Sequence, residues 1–425
     1  MLIKLLLILA ISVVGRLVIG DLYVDIPQFM PDSNGYLTLS DQLAHTGTFI
    51  DGSGSSESKR TPGYPGLLAL FQIFDLGLTW VVVFQHFLII LTALLVGWCI
   101  SQRFNQSVGL TAAFLIAVNF PLAVFSNFIL TEVCFVFLIT SAFCLLLLND
   151  KTHEEGKKQA FTLLVVGLLT GFAVLVRPVA LFLIIPMTFF VLFSYRTVFK
   201  NCLILIIAFS IVPTVWMTRN YNENGVFSIS SISSINLLLY QGAGTLAIAS
   251  DDDYDKAFSL YQSELRTKAS AIVISREGTS LESKEKIQSS VYKEFFFDIL
   301  RDYPFHAALH TSRNILLTSL GYATSQIVQL FEVTPNMAFI IALSASSFSM
   351  VLFWIGMLVC WRRDKKLAIL SLLYCSYFIV IPALSGVGGT RFRLPVEPII
   401  CVGMAVGIHY LSQSRIVSRV FRERW

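Results

Sequence analysis

Long apolar runs separated by short polar connections recur along most of this chain. A helix of about 20 predominantly apolar residues crosses a bilayer, and fewer suffice where neighbouring helices or local thinning help. On that length scale the pattern predicts ten spans, near residues 2–19, 79–99, 108–122, 132–148, 161–176, 179–194, 201–218, 337–360, 367–383 and 398–412. The first run carries Lys4 and Arg16 and lacks a small-residue cleavage site, which marks a retained anchor helix with no soluble precursor. Two further apolar pieces stay outside the count. Residues 64–74 are too few and are bordered by Pro62 and Pro65, whereas 305–331 is interrupted by polar residues, so both are expected along the outer membrane interface.

Basic residues fix the expected orientation. Lys4, Arg103, Lys151, Lys157, Lys158, Arg196, Lys200, the run Arg362-Arg363-Asp364-Lys365-Lys366 and Arg415, Arg419, Arg422 and Arg424 fall on one side, which the positive-inside rule makes cytoplasmic. An even number of spans then leaves both termini cytoplasmic. Residues 20–78, 123–131, 219–336 and 384–397 face the other side. Three regions follow: 1–218, an N-terminal transmembrane half with a first outer loop at 20–78; 219–336, an extracytoplasmic helical segment with an interfacial helix; and 337–425, C-terminal transmembrane helices with a basic tail. Within the long outer segment, 251–274 is helix-compatible behind Asp251-Asp252-Asp253. A second helix is expected from Thr279 as cap with Glu282 three residues on, through Ile287, Val291, Phe295 and Ile299, ending before Pro304. The Gly/Ser-rich patch 51–58 reads as a flexible loop tip.

Composition agrees with an all-α polytopic membrane protein: the 425 residues are 55% hydrophobic and 14% charged, with mean hydropathy +0.71. The net charge of +4 is small and its cations sit at membrane edges, which favours contact with anionic lipid over nucleic acid. All seven cysteines lie in or beside apolar segments and read as packing residues. His306 and His310 are four residues apart, but no acidic third ligand stands at a fixed spacing from them, so no metal site is expected. The sequon Asn105-Gln-Ser107 falls on the expected cytoplasmic side.

The candidate chemistry gathers on the outer side. Past Gly20 the chain turns acidic with Asp21, Asp25 and Asp32, and then reaches the basic, Pro-rich stretch Lys59-Arg60-Thr61-Pro62-Gly63-Tyr64-Pro65. A carboxylate and a cation just outside a bilayer suit work on a lipid-borne anionic substrate. The phrase Pro31-Asp32-Ser33-Asn34-Gly35-Tyr36, the stretch 60–65, Ser126-Asn-Phe-Ile-Leu-Thr-Glu132, Arg177-Pro178, Arg219-Asn-Tyr221, Asn236-Leu-Leu-Leu-Tyr-Gln-Gly242 and Arg391-Phe-Arg-Leu-Pro395 come in an order, and in a placement between helices, that resembles the GT-C superfamily of membrane glycosyltransferases. That group includes the protein O-mannosyltransferases and the lipid A aminoarabinose transferase, and the resemblance extends over nearly the whole chain. It implies a GT-C type helical bundle with extracytoplasmic loop helices, a polyprenyl-phosphate sugar donor, transfer outside the cytoplasm to a glycan, lipid or protein acceptor, and a catalytic Asp in the first outer loop.

Chemistry accounts for those residue types. An acceptor hydroxyl needs a carboxylate to take its proton as it attacks the anomeric carbon, and Asp32 is the candidate. The leaving group is already a phosphate, so no second acid is required, unlike glycoside hydrolysis. Arg60, Arg391 and Arg393, with Lys59 assisting, are the candidate phosphate clamp; Arg391 and Arg393 are alternate residues that point the same way if the stretch is extended. No cofactor is required on this reading. Asp25, Tyr36, Tyr64, Glu132, Arg177 and Arg219 are candidates for supporting roles, and Tyr221 for contact with sugar or prenyl chain. Competing assignments stay open: Asp32 as the cap of a helix starting near Asn34 with Asp25 or Asp21 as base, Arg60 as an interfacial anchor, and Glu132 as a helix-terminal carboxylate. Two other activities are also compatible with the pattern: a polymerase or ligase using lipid-diphosphate oligosaccharides, and a non-catalytic flippase for lipid-linked glycans.

Overall fold

A computed structural model of the chain describes residues 28–52, 54–149, 156–195, 198–250, 252–278 and 282–413. The expected first span, Asp21, Asp25 and the basic residues at 415–424 lie outside the described residues. Among those described the protein is helical, with two isolated bridges, Gln28 to Phe128 and Ile50 to Ser56, and no strands.

Among the described residues, eight helices are long and apolar enough to cross a membrane: Leu78–Arg103, Glu132–Asn149, Lys157–Val176, Val198–Asn224, Ile232–Ala249, Pro335–Arg363, Lys365–Leu384 and Thr390–Gln413. All but Ile232–Ala249 coincide with expected spans. Two other expected spans are shorter. The run expected at 108–122 is a helix of 12 residues, Gln106–Ala117. It stops because Asn119 opens a new turn, accepting the Leu122 N–H at 3.0 Å, with Pro121 just behind. Residues 178–194 begin as a 3-10 turn and continue as Ile184–Ser194.

The unexpected Ile232–Ala249 owes its apolar character to a second, smaller core. Leu238, Leu239 and Ala243 pack there with Leu265, Ala269 and Val273 of Tyr254–Glu277 and with Ile287, Val291 and Tyr292 of Lys284–Asp302. The stripe expected from Ile287 to Ile299 therefore faces this core, but its helix starts later than expected. Ser283, not Thr279, is the cap, accepting from the Lys286 N–H at 3.4 Å, and Thr279 lies outside the described residues. The next helix, Pro304–Leu320, brings His310 onto this group. His310 Nδ1 meets Gln241 Oε1 at 2.9 Å and Nε2 meets the Tyr254 hydroxyl at 3.1 Å, so both ring nitrogens are engaged within the protein. Burial, and then the nearby Arg313, pull its pKa down to about 4, and the ring is neutral near pH 7.

Spans pack closely where side chains vanish. Pro335–Arg363 and Thr390–Gln413 touch at Gly356 and Gly403, where a Cβ on Gly356 would overlap the Gly403 carbonyl. At the end of the bundle remote from the acidic first loop, Arg103 grips Asp364 with two hydrogen bonds of 2.6 Å and donates to the Leu147 carbonyl at 2.8 Å. The pair is almost fully enclosed, so replacing one partner strands a buried charge. Arg103→Met should cost about 3–5 kcal/mol. A thiol-reactive dye reads this directly, because all seven cysteines are buried and free and become reactive only on unfolding. A midpoint within a degree or two of wild type would contradict the assignment.

Candidate active site

The first loop enters its helix in a fixed way. Pro31–Thr46 begins with Pro at its first turn, and Ser33 folds back so that its Oγ accepts the Met30 N–H at 2.9 Å while donating to the Ile129 carbonyl at 3.0 Å. Backbone bonds from the Gln28 N–H to the Asn127 carbonyl at 2.9 Å, and from the Ile129 N–H to the Gln28 carbonyl at 3.0 Å, stitch the same two segments together. Asp32 is thereby set beside Glu132. It does not cap the helix: the start is at Pro31, not near Asn34, and the capping oxygen belongs to Ser33. The Asp32 carboxylate, 42% exposed, instead accepts from Arg391 Nη1 at 2.6 Å and faces Arg60 Nη2 at 3.6 Å.

Glu132 lies behind this pair and is 1% exposed. It accepts a short hydrogen bond from Arg391 Nε and one of 3.1 Å from its neighbour Thr131 Oγ1, and forms an ion pair with Arg177 Nη1 at 2.9 Å. A carboxylate with no access to water is tolerated only when paired and hydrogen-bonded, and two guanidiniums supply that. Arg177 is sandwiched between the rings of Phe135 and Phe392, 5.8 and 5.6 Å from their centroids. Arg391 thus bridges two carboxylates and is fixed from both sides. Three guanidiniums against two carboxylates leave one positive charge in the cluster, which is open to solvent around Asp32, Arg60 and Arg391 and closed around Glu132.

Arg60 differs from the other arginines here. Its guanidinium lies 5.4 Å over the Tyr36 ring, its side chain is 27% exposed, and its ion pair with Asp32 is longer than a hydrogen bond. Space for it exists because the residue beneath is Gly35, where a Cβ would overlap the guanidinium. The backbone carrying Arg60 is held by the end of Val198–Asn224 and by the turn that follows it. Arg219 donates to the carbonyls of Phe49 and Glu57, each at 2.9 Å, Ser231 donates to the Ser58 carbonyl at 2.9 Å, and Ser230 donates to the Lys59 carbonyl.

Not every expected residue joins the cluster. Arg393 is 1% exposed and faces away: it pairs with Glu397 at 2.7 Å and donates to the Ser319 carbonyl at 2.8 Å, the Gly321 carbonyl at 3.1 Å, and Ser346 and Ser349. The expectation that it aligns with Arg391 assumed extended backbone, but Thr390–Arg393 is helical, and residues two apart on a helix project about 200° apart. Arg393 fastens Thr390–Gln413 to Pro335–Arg363 and is not brought together with Asp32, Arg60 and Arg391. Lys59 is exposed. Arg219 acts on the loop backbone, Tyr221 is exposed, and Asp25 lies outside the described residues. Tyr36 borders the cluster, edge-on to Tyr64 at 5.4 Å; burial raises its phenol pKa, with Glu132 and Asp32 adding to the shift, so it stays protonated. Tyr64 is fully buried and donates to Gln85 at 3.0 Å, which in turn donates to the Ser126 and Phe128 carbonyls at 2.9 Å. Gln85 escaped sequence reasoning, although a lone amide in an apolar run was its signal; Gly35 and Phe392 gave no comparable one. Among the described residues, no group of three His, Cys, Asp or Glu side chains is arranged to hold a metal ion.

Residues 59–217 match a family model described as dolichyl-phosphate-mannose-protein mannosyltransferase. No curated protein matches the chain. Among solved structures, the archaeal oligosaccharyltransferase AglB from Archaeoglobus fulgidus, in complex with an inhibitory peptide and a dolichol-phosphate, superposes with a TM-score of 0.56 at 14% identity over 98% of this chain and 52% of that one. The apo form of the Archaeoglobus fulgidus enzyme gives 0.55 at 13% identity, over 98% and 52%. ArnT from Cupriavidus metallidurans bound to undecaprenyl phosphate gives 0.40 at 12%, over 96% and 78%. The chain spans about half the length of the oligosaccharyltransferase structures it matches.

Proposed function

From the premise that this chain has the GT-C fold, we propose that it is an inverting glycosyltransferase that moves a sugar from a polyprenyl-phosphate donor to a hydroxyl of a glycan, lipid or protein acceptor. One observation carries the reading: a partly exposed carboxylate, Asp32, stands between an arginine bound to it at 2.6 Å, Arg391, and one held more loosely at 3.6 Å, Arg60. In the proposed step Asp32 accepts the acceptor hydroxyl proton while the acceptor oxygen attacks C1 of the sugar from the face opposite the phosphate. The C1–O bond breaks, its electron pair leaves with the phosphate, and the proton passes from Asp32 to water. Arg60 meets the charge that grows on the departing phosphate, with Lys59 close by on the same strand of chain. Arg391 holds the carboxylate in place and is itself held by Glu132, which in turn is held by Arg177. No step calls for a metal, because one lipid phosphate carries little enough charge for these cations to offset.

The complex of the archaeal oligosaccharyltransferase with an inhibitory peptide and a dolichol-phosphate supports a lipid-phosphate donor. The excess of Lys and Arg at the opposite end of the bundle supports an extracytoplasmic site in a plasma or inner membrane, with the basic end cytoplasmic. The test is incubation of the purified protein in lipid discs with a panel of polyprenyl-phosphate sugars and candidate acceptors, followed by detection of free polyprenyl phosphate. Acceptor-dependent release from at least one donor is expected. Consumption of lipid-diphosphate oligosaccharides alone would replace this reading with that of a ligase.

A further inference from the structure

The inference concerns the opposite end of the bundle, about 28 Å along Thr390–Gln413 from Arg391 at 1.5 Å per residue. Arg393 meets Ser346 and Gly403 meets Gly356, so Pro335–Arg363 and Thr390–Gln413 run parallel and in step. Near their C-terminal ends they border a cavity of 360 Å³ lined by Ile355, Leu358, Val359, Arg362, Arg363 and Tyr410. Apolar side chains form its walls and two guanidiniums stand at one end.

Among the described residues, no acid neutralises these two cations. The nearest acid in sequence, Asp364, has both oxygens taken by Arg103. No carboxylate among the described residues pairs with Arg362 or Arg363, whose side chains are exposed. Lys365 adds to the excess and lies 5.1 Å over the Trp361 ring. The following segment, 414–425, has four arginines and one glutamate, so its charge has the same sign and does not offset theirs. An occupant must therefore bring negative charge to the mouth and an apolar portion to the walls, and it must reach the site from beside the helices. Leu358, 69% exposed on the outer surface of its helix, marks that lateral opening.

We propose that this cavity binds an anionic phospholipid of the surrounding membrane, its phosphate on Arg362 and Arg363 and the upper part of an acyl chain against Ile355, Leu358 and Val359. The chemistry is that of a phosphate ester, and the lateral, apolar walls assign it to a lipid and not to a soluble ester. The site is independent of the sugar-transfer reading and stands or falls apart from it.

Native mass spectrometry of the delipidated full chain, titrated with phosphatidylglycerol or with phosphatidylcholine of the same acyl chains, tests the proposal. Wild type should retain phosphatidylglycerol preferentially. Arg362→Gln with Arg363→Gln should weaken that retention about thirtyfold, and Arg362→Lys with Arg363→Lys by less than about fivefold, as the loss or retention of two surface charges implies. Both pairs of side chains are exposed, so unchanged melting curves are expected and separate lost binding from lost fold. Equal retention by the Gln variant, or equal binding of the two lipids by wild type, would overturn the site. Displacement of the lipid by glycerol phosphate would also overturn it, by assigning the pocket to a soluble ester.

Discussion

Asp32→Asn should reduce sugar transfer by about 10²–10⁴-fold, the range that a positioned general base contributes. The amide keeps the shape of the carboxylate but cannot take the acceptor's proton. Its effect should fall on kcat far more than on KM for the donor, since the donor phosphate is assigned to Arg60. Folding should be nearly untouched. The helix 31–46 is opened by Pro31 and Ser33 and not by Asp32, and Arg391 remains anchored on Glu132 after the substitution. Release of polyprenyl phosphate, measured beside a thermal unfolding curve, checks both halves. Turnover within tenfold of wild type in a folded variant would remove Asp32 as base.

Arg60→Met should be nearly as damaging, with kcat/KM for the donor reduced by about 10²–10³, as for loss of a preorganised charge on a leaving group. Here KM for the donor should rise as kcat falls, because the guanidinium holds the phosphate before and during the step. Gly35→Ala offers a gentler version. The added methyl would displace only the far end of a flexible side chain, so stability should hold within about 0.5 kcal/mol while activity declines in the same pattern as in Arg60→Met. An Arg60→Met enzyme with an unchanged KM would return Arg60 to the role of an interfacial anchor.

Much of the bundle was legible because length and hydropathy alone set it: Glu132–Asn149 and Pro335–Arg363 coincide with their expected runs to within a few residues. The outer helix Lys284–Asp302 was legible from the four-residue spacing of its apolar side chains, yet its start was not, since serine, threonine and aspartate all serve as caps and several stood in line. Ile232–Ala249 shows the converse. It has the composition of a span, and only its packing on Leu265, Ala269 and Ile287 reveals the second core it fills. At the site, residue type pointed to Asp32, Arg60 and Arg391, because a carboxylate and guanidiniums are what the chemistry needs. Which arginine faces which way was not legible. Arg391 and Arg393 have the same side chain and nearly the same address, and one turn of helix sends the first to Asp32 and the second into a nest of serines and carbonyls. Gly35 was silent for another reason: its role depends on a side chain that crosses it from elsewhere in the first loop.

The bond between Arg391 and Asp32 joins residues 359 positions apart. A ribosome therefore makes 358 residues after Asp32 before the last cation of the cluster exists. Until then Glu132 has only Arg177 to offset it, and the segment 59–217 that matches the family model holds that pair and Arg60 but neither Asp32 nor Arg391. The centre is thus completed only when Thr390–Gln413 is made, so a chain cut short after residue 389 would carry the segment that matches the family model and an unclosed site.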